Sequence, residues 1–327
     1  MGMKRRRALA LIGLAPLAAR AQVKPAGRVY RIGVLETTAL GQNLENFERL
    51  RKGMEERGYI EGPNLVIAYR SAEGRAERFP ELAAELARSK VDLFLTRGTP
   101  ATLAARQASG TIPIVMVAVA DPVEAGLAAS LARPGGNVTG LTSATTELVP
   151  KRLELLKALV PKLARVAAYA NLSNVAAAAT WKETEAAARA MGLEALLLDV
   201  RTAEQIAPAF ERAATSDAQG LMVGIETLAQ SNRKAIVELA AKYRLPAMYA
   251  GREFVEAGGL VSYGVNYPDL YYRAAGYAER ILKGAAPAEL AIERPSKFEL
   301  FVNRKSAHSL ALAIPPDLLL RSDRLVD

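Results

Sequence analysis

No cysteine occurs among the 327 residues, and histidine occurs once, as His308. Without thiols there is no disulfide, no thiolate nucleophile, no cysteine–metal site and no cysteine to carry a lipid behind a leader. A histidine centre would have to rest on His308 alone, within Lys305-Ser306-Ala307-His308-Ser309. Metal and acid–base sites recruit several such groups, so His308 reads as a surface residue. Catalytic signatures are missing too: there is no G-x-S-x-G elbow, no G-x-x-x-x-G-K-[ST] loop and no H-E-x-x-H. Gly135-Gly136-Asn137-Val138-Thr139-Gly140 follows a helical pattern and lacks the G-x-G-x-x-G spacing, so it reads as a turn into a strand. These absences predict a protein without metal or cofactor, and not an enzyme.

Long apolar runs are lacking as well. The one at the start, Ala8 to Leu17, is about half of the roughly 20 residues needed to span a bilayer. It follows Lys4-Arg5-Arg6-Arg7, is broken by Pro16, and leads to Ala19-Arg20-Ala21 before Gln22. Basic segment, short apolar segment and small-x-small site in that order predict a cleaved export signal over 1–21 and a periplasmic product beginning at Gln22. Its removal leaves 306 residues and takes five positive charges with it, so the formal balance falls from +9 to +4. No basic cluster interleaved with aromatics remains, which argues against a nucleic-acid partner.

What is present is alternation. Apolar runs bounded by turn residues read as buried parallel strands at Val29–Leu35, Asn64–Tyr69, Val91–Leu95, Ile114–Val119 and Asn137–Leu141. A second set follows at Arg165–Ala170, Leu193–Asp199, Gly220–Gly224, Ala247–Tyr249 and Gly259–Tyr263. Amphipathic helices are expected between them, at Asn43–Arg57, Arg78–Ser89, Pro100–Ala108, Pro122–Ala132, Leu153–Leu159, Val175–Met191, Ala203–Ala214 and Ala229–Tyr243. Thr99 and Asp121, each before a proline, read as helix caps. A helix at Leu270–Lys283, a strand at Phe298–Val302 and a helix from Ser306 form a tail too small for a third domain. The expected fold class is therefore α/β: two doubly wound parallel-sheet lobes with a ligand cleft between them. The expected division is 28–142 plus 265–296 for one lobe and 143–264 plus 297–327 for the other.

Ligands of open α/β sheets sit at the C-terminal strand edges. In the first lobe those edges carry Glu36 and Thr37, then Arg97-Gly98-Thr99-Pro100, then Asp121. In the second they carry Asn171 and Asn174, Glu226, and Tyr263 with Gly264. Gly98 permits close backbone approach, Thr99 offers a hydroxyl, and the following helix start favours an anion; Asp121 suits an ammonium group. Asn171 and Asn174 also suit a turn and cap, and Tyr249 suits the core as well as a stacking wall.

Two blocks carry a family resemblance. One runs from Asp121-Pro122-Val123-Glu124-Ala125-Gly126-Leu127 into Leu131-Ala132-Arg133-Pro134-Gly135-Gly136-Asn137-Val138-Thr139-Gly140. The other is Arg252-Glu253-Phe254-Val255-Glu256-Ala257-Gly258-Gly259-Leu260-Val261-Ser262-Tyr263-Gly264. With Pro295-Ser296-Lys297-Phe298-Glu299-Leu300 and Ile314-Pro315-Pro316, the chain resembles ABC-transporter substrate-binding proteins of the tryptophan/tyrosine type. The resemblance implies a type 1 periplasmic-binding fold with a multi-stranded hinge, and a cleft holding Thr99, Asp121, Asn171 and Glu226. It also implies a monomer that passes an amino acid or related carboxylate to an ABC permease in the inner membrane. A ligand-sensing subunit would show the same cleft; a secreted α/β hydrolase would lack its elbow.

Overall fold

Leu93–Arg97 and Ile114–Val119 bury every residue, as strands covered by helices on both faces must. In the computed structural model, which describes residues 28–327, they are the centre of the first of two sheets. The expected export signal, 1–21, lies outside the described residues. The first sheet comprises β1 (Tyr30–Glu36), β2 (Leu65–Ser71), β3 (Leu93–Arg97), β4 (Ile114–Val119) and β5 (Val138–Thr142). All pairings are parallel, in the order β2-β1-β3-β4-β5. Helices α1 (Leu44–Glu55), α2 (Phe79–Arg88) and α3 (Gly98–Ala108) form its crossovers. Alternation sorts the apolar residues: Leu95, Val115 and Val117 share a core with α1, while Phe94, Ile114 and Met116 share another with α2 and α3.

The second sheet comprises β6 (Arg165–Ala170), β7 (Glu194–Asp199), β8 (Gly220–Val223), β9 (Ala247–Tyr249), β10 (Val261–Val265), β11 (Phe298–Asn303) and β12 (Arg324–Val326). Its order is β12-β11-β10-β9-β8-β6-β7, and β10 with β11 is the antiparallel pair. Around it lie α4 (Val149–Leu159), α5 (Val175–Ala190), α6 (Ile206–Thr215), α7 (Thr227–Ser231), α8 (Arg233–Lys242) and α9 (Arg252–Glu256). Helix α10 (Tyr267–Leu282) returns to the first sheet, where Leu270, Tyr271 and Ala274 join the core of α1. Helices α11 (Arg304–Ser309) and α12 (Pro316–Arg321) close the chain against the second. The backbone thus crosses between sheets three times: from β5 to α4, from β10 to α10, and from Glu293, bridged to Leu141, to β11.

Two expected helices differ. Residues 122–126 form a run of turns, and 127–132 bends and irregular chain, instead of a helix. Asp121 does cap Val123 and Glu124, both at 2.9 Å, but Gly126 at φ +66° reverses the chain at once. The expected helix 229–243 is two, α7 and α8, parted at Asn232, whose side chain donates to the Leu228 carbonyl at 2.9 Å.

Candidate functional site

The C-terminal edges of the two sheets face one another across a cleft. The first lobe contributes Thr37 after β1, Arg97, Gly98, Thr99 and Pro100 where β3 runs into α3, and Ala118 and Ala120 at the end of β4. Strand and helix meet at Gly98 without a loop, which requires its φ of +77°. The helix start moves accordingly: Arg97 is the cap and Thr99 lies within the first turn. A register shift between Val117 and Val119, with Ala118 at φ +58°, turns the end of β4 toward the cleft. Ser143, Thr145 and Tyr267 line it from the crossovers.

The second lobe contributes Arg152 from α4, Tyr169 from β6, Glu226, Thr227 and Gln230 from the α7 start, and one face of α5. That face is Ala176, Thr180 and Thr184 with Ala177 and Trp181, positions four residues apart on one side of a helix. Asn174 caps α5 by accepting from the Ala176 N–H at 3.1 Å.

Several buried polar atoms in the lining residues have no protein partner: Thr37 Oγ1, Thr99 Oγ1, Arg97 Nη2, Tyr169 OH and Gln230 Nε2. Buried polar groups are nearly always hydrogen-bonded, so their concentration around one cleft marks a place for a polar ligand.

Charge is arranged around the same cleft. Arg97 donates to Asn43 Oδ1 at 3.2 Å, lies over the Tyr267 ring at 4.7 Å, and has Glu36 at 3.9 Å. Glu36, fully buried, accepts from Tyr271 and from the Thr37 N–H; burial holds its carboxyl above the usual range against the pull of Arg97. Glu226 accepts from the Ala229 and Leu228 N–H groups at 2.7 and 3.2 Å. Burial nevertheless pushes its pKa up to about 7. Burial lowers Arg152 to about 10, which leaves it charged at neutral pH.

Of the residues expected from sequence, Thr37, Gly98, Thr99, Asn174 and Glu226 line the cleft. Glu36 stands behind Arg97, off the lining. Asp121 is exposed; its carboxylate is used in capping, and it borders a narrow outer recess with Ala120 and Val175 in place of the cleft itself. Asn171 is buried and spends its Oδ1 on Ser173 N and Oγ, at 3.1 and 2.5 Å. Tyr263 sets its ring on Phe298, 6.3 Å between centroids, and Tyr249 stacks on Phe254 in the core. His308 is exposed.

Sequence reasoning missed Arg152, Trp181, Tyr169 and Gln230 as lining residues. Arg152 left a signal: it lies three residues after Val149 and four before Leu156, on the apolar stripe of α4. A charge there either meets a partner or faces a cavity.

Comparison with known proteins agrees with this geometry. Residues 32–326 match the family model for ABC transporter substrate binding protein. A tyrosine-binding protein from Clostridioides difficile is 28% identical over 259 residues, 79% of this chain and 74% of that protein. The crystal structure of an ABC domain in complex with L-Trp from Streptococcus pneumoniae is 26% identical and superposes with a TM-score of 0.83, covering 91% of this chain and all of that one. A ligand-free, open substrate-binding protein with adhesive properties from Clostridium difficile is also 26% identical, covers 91% of this chain and 99% of its own, and superposes at 0.66.

Proposed function

The chain belongs to the ABC transporter substrate-binding protein family, and on that premise we propose that it captures an amino acid with an aromatic side chain between its lobes for delivery to a membrane permease. It is a binding protein and not an enzyme. The observation that carries the ligand assignment is the composition of the cleft: Arg152 and Glu226 supply opposite charges, and Trp181, Tyr169 and Tyr267 supply aromatic surface. A zwitterion with a flat apolar side chain uses all of these at once. Relatives named for tyrosine and solved with L-Trp support the same reading. No described helix is long and apolar enough to cross a membrane. We read the site of action as the periplasm, reached by the signal over 1–21.

A thermal-shift screen of the mature protein against amino acids and small carboxylates tests the proposal. At 100 times its Kd a ligand adds about 2.7 kcal/mol of stability. L-tyrosine or L-tryptophan should raise the melting temperature and D-glucose should not; the reverse pattern overturns the proposal. Protein recovered from the periplasm should have an intact mass beginning at Gln22, and retention of 1–21 would refute export by cleavage.

The units proposed to close are 28–142 with 265–296, and 143–264 with 297–327. Where they meet, Gly74 at φ +86° lies against α7: an added Cβ would stand 2.7 Å from Ser231 Cβ. Arg252 of α9 also pairs with Glu45 of α1 across the divide. Gly74→Leu should hold the lobes apart and cost about 1–3 kcal/mol of closure, a 5- to 150-fold loss of affinity. Small-angle scattering of the ligand-saturated variant should give a larger radius of gyration than wild type. Equal radii and equal affinities would mean that the contact has no part in closure.

A further inference from the structure

Arg152 is 3% exposed, lines the cleft, and has no carboxylate at ion-pair distance among the described residues, whereas Arg97 has Glu36 at 3.9 Å. A buried guanidinium with no acid beside it is an unbalanced charge, and native interiors seldom keep one without a role. Its neighbours are neutral. Nε donates to the Tyr263 carbonyl at 2.7 Å, and Nη1 donates to the Thr145 carbonyl and hydroxyl at 3.0 and 3.2 Å. These satisfy dipoles without cancelling the charge. Thr145 belongs to the crossover from β5 to α4, and Tyr263 to the strand that feeds the crossover into α10. One guanidinium therefore ties an inter-lobe segment to the strand that leads into another, while it borders the ligand space. Gly264, beside Tyr263, is what lets β10 run so close to Ala250: a Cβ there would meet the Ala250 carbonyl oxygen at 2.0 Å.

We propose that Arg152 is the receptor for the anionic group of the ligand, and that through its bonds to the β5–α4 crossover and to β10 it couples occupancy of the cleft to the hinge. The assignment rests on the reading of the chain as a binder of zwitterionic aromatic ligands, and it adds the residue that selects for the carboxylate. With Nε and Nη1 committed to Tyr263 and Thr145, the planar guanidinium leaves Nη2 to donate to a carboxylate from a fixed orientation. Binding the anion then also settles the charge that the two carbonyls leave uncompensated.

The test compares L-tyrosine with tyramine and L-tryptophan with tryptamine, pairs that differ by the carboxylate, on wild type, Arg152→Gln and Arg152→Lys by calorimetric titration. Wild type should prefer each amino acid to its amine by about a hundredfold. Arg152→Gln should lose most of its affinity for the amino acids, little for the amines, and thus nearly all of that preference. Arg152→Lys, which keeps the charge but not the fork, should recover part of it. A merely structural Arg152 would weaken both members of each pair equally, and that result, or an unchanged preference in Arg152→Gln, overturns the assignment. Wild type that binds amines as well as amino acids overturns it too, while leaving the aromatic reading intact. Wild type that binds none of the four probes, but is stabilised by a neutral sugar, overturns both.

Discussion

Gly140→Ala should leave little folded protein. Gly140 lies in β5 with φ +131°, a conformation that side chains rarely adopt, and an added Cβ would stand 2.2 Å from the Met116 carbonyl oxygen and 2.8 Å from its nitrogen. Both are backbone atoms of the paired strand β4, so no rotamer change relieves the overlap. The strands would have to part beside the bulge at Ala118, and the Gly140 carbonyl would lose the Glu293 N–H that it accepts at 2.9 Å. Backbone strain and a broken strand pair together place the cost at about 4 kcal/mol or more, a large share of a domain's stability. Gly98→Ala provides the contrast. Its φ is also positive, at +77°, but nothing lies within 4 Å of the added Cβ, so about 1–2 kcal/mol of backbone strain is the whole expected effect. Urea titration of the two variants separates them; a Gly140→Ala midpoint equal to that of Gly98→Ala would show that β4 and β5 part easily.

Glu226 should make both stability and binding depend on pH, in opposite directions. Its folded pKa of about 7 lies above the ordinary 4.5, so the folded state holds the proton more tightly than the unfolded chain does. The stability it contributes is therefore complete below about pH 4.5 and is lost as pH rises through about 7. The gap is worth roughly 3 kcal/mol for a group so fully buried. An ammonium group placed against the carboxylate reverses the preference, because only the ionised form attracts it. Affinity for L-tyrosine should fall about tenfold per unit below pH 7 and level off above it. Glu226→Gln keeps an oxygen to cap α7 and removes the charge. It should flatten both profiles and cost about 2–5 kcal/mol of binding, tens- to thousands-fold in Kd. Thermal unfolding and calorimetry between pH 5 and 8 decide it. Affinity that is flat across that range in wild type would place the ammonium elsewhere.

The layered alternation was legible because it is written in consecutive residues. A strand buried on both faces must be apolar throughout, and Ile114–Val119 has the bounds that its composition predicts. The turn series after Asp121 was not legible. Asp-Pro satisfies the first amide donors of a turn as well as those of a helix, and Gly126 two residues after Glu124 decides between them. The same ambiguity misplaced Asp121 in the cleft: an exposed cap and a ligand partner have the same local sequence.

The edge residues divide along a similar line. Gly98, Thr99 and Glu226 were within reach because the strand-edge rule selects positions next to strand ends, and the cleft is built there. Asn171 meets the same rule but turns its oxygen onto Ser173, a choice set by side-chain geometry. Lining residues supplied by helix faces, Trp181 on α5 and Arg152 on α4, follow no edge rule. Which way they point depends on how each helix rolls against its sheet and how the second lobe stands against the first.

By itself, then, the order of residues determined two α/β lobes, their strands, the return of the tail and the exclusion of cysteine thiol chemistry, since each depends on composition or on neighbours within a few positions. Only the tertiary structure decided that Arg152 reaches the carbonyls of Tyr263 and Thr145, 111 and seven residues away, and that Gly74 meets Ser231. The charge balance of a cleft is a property of distances between segments remote in the chain, and local propensity carries no information about those distances until the lobes are packed.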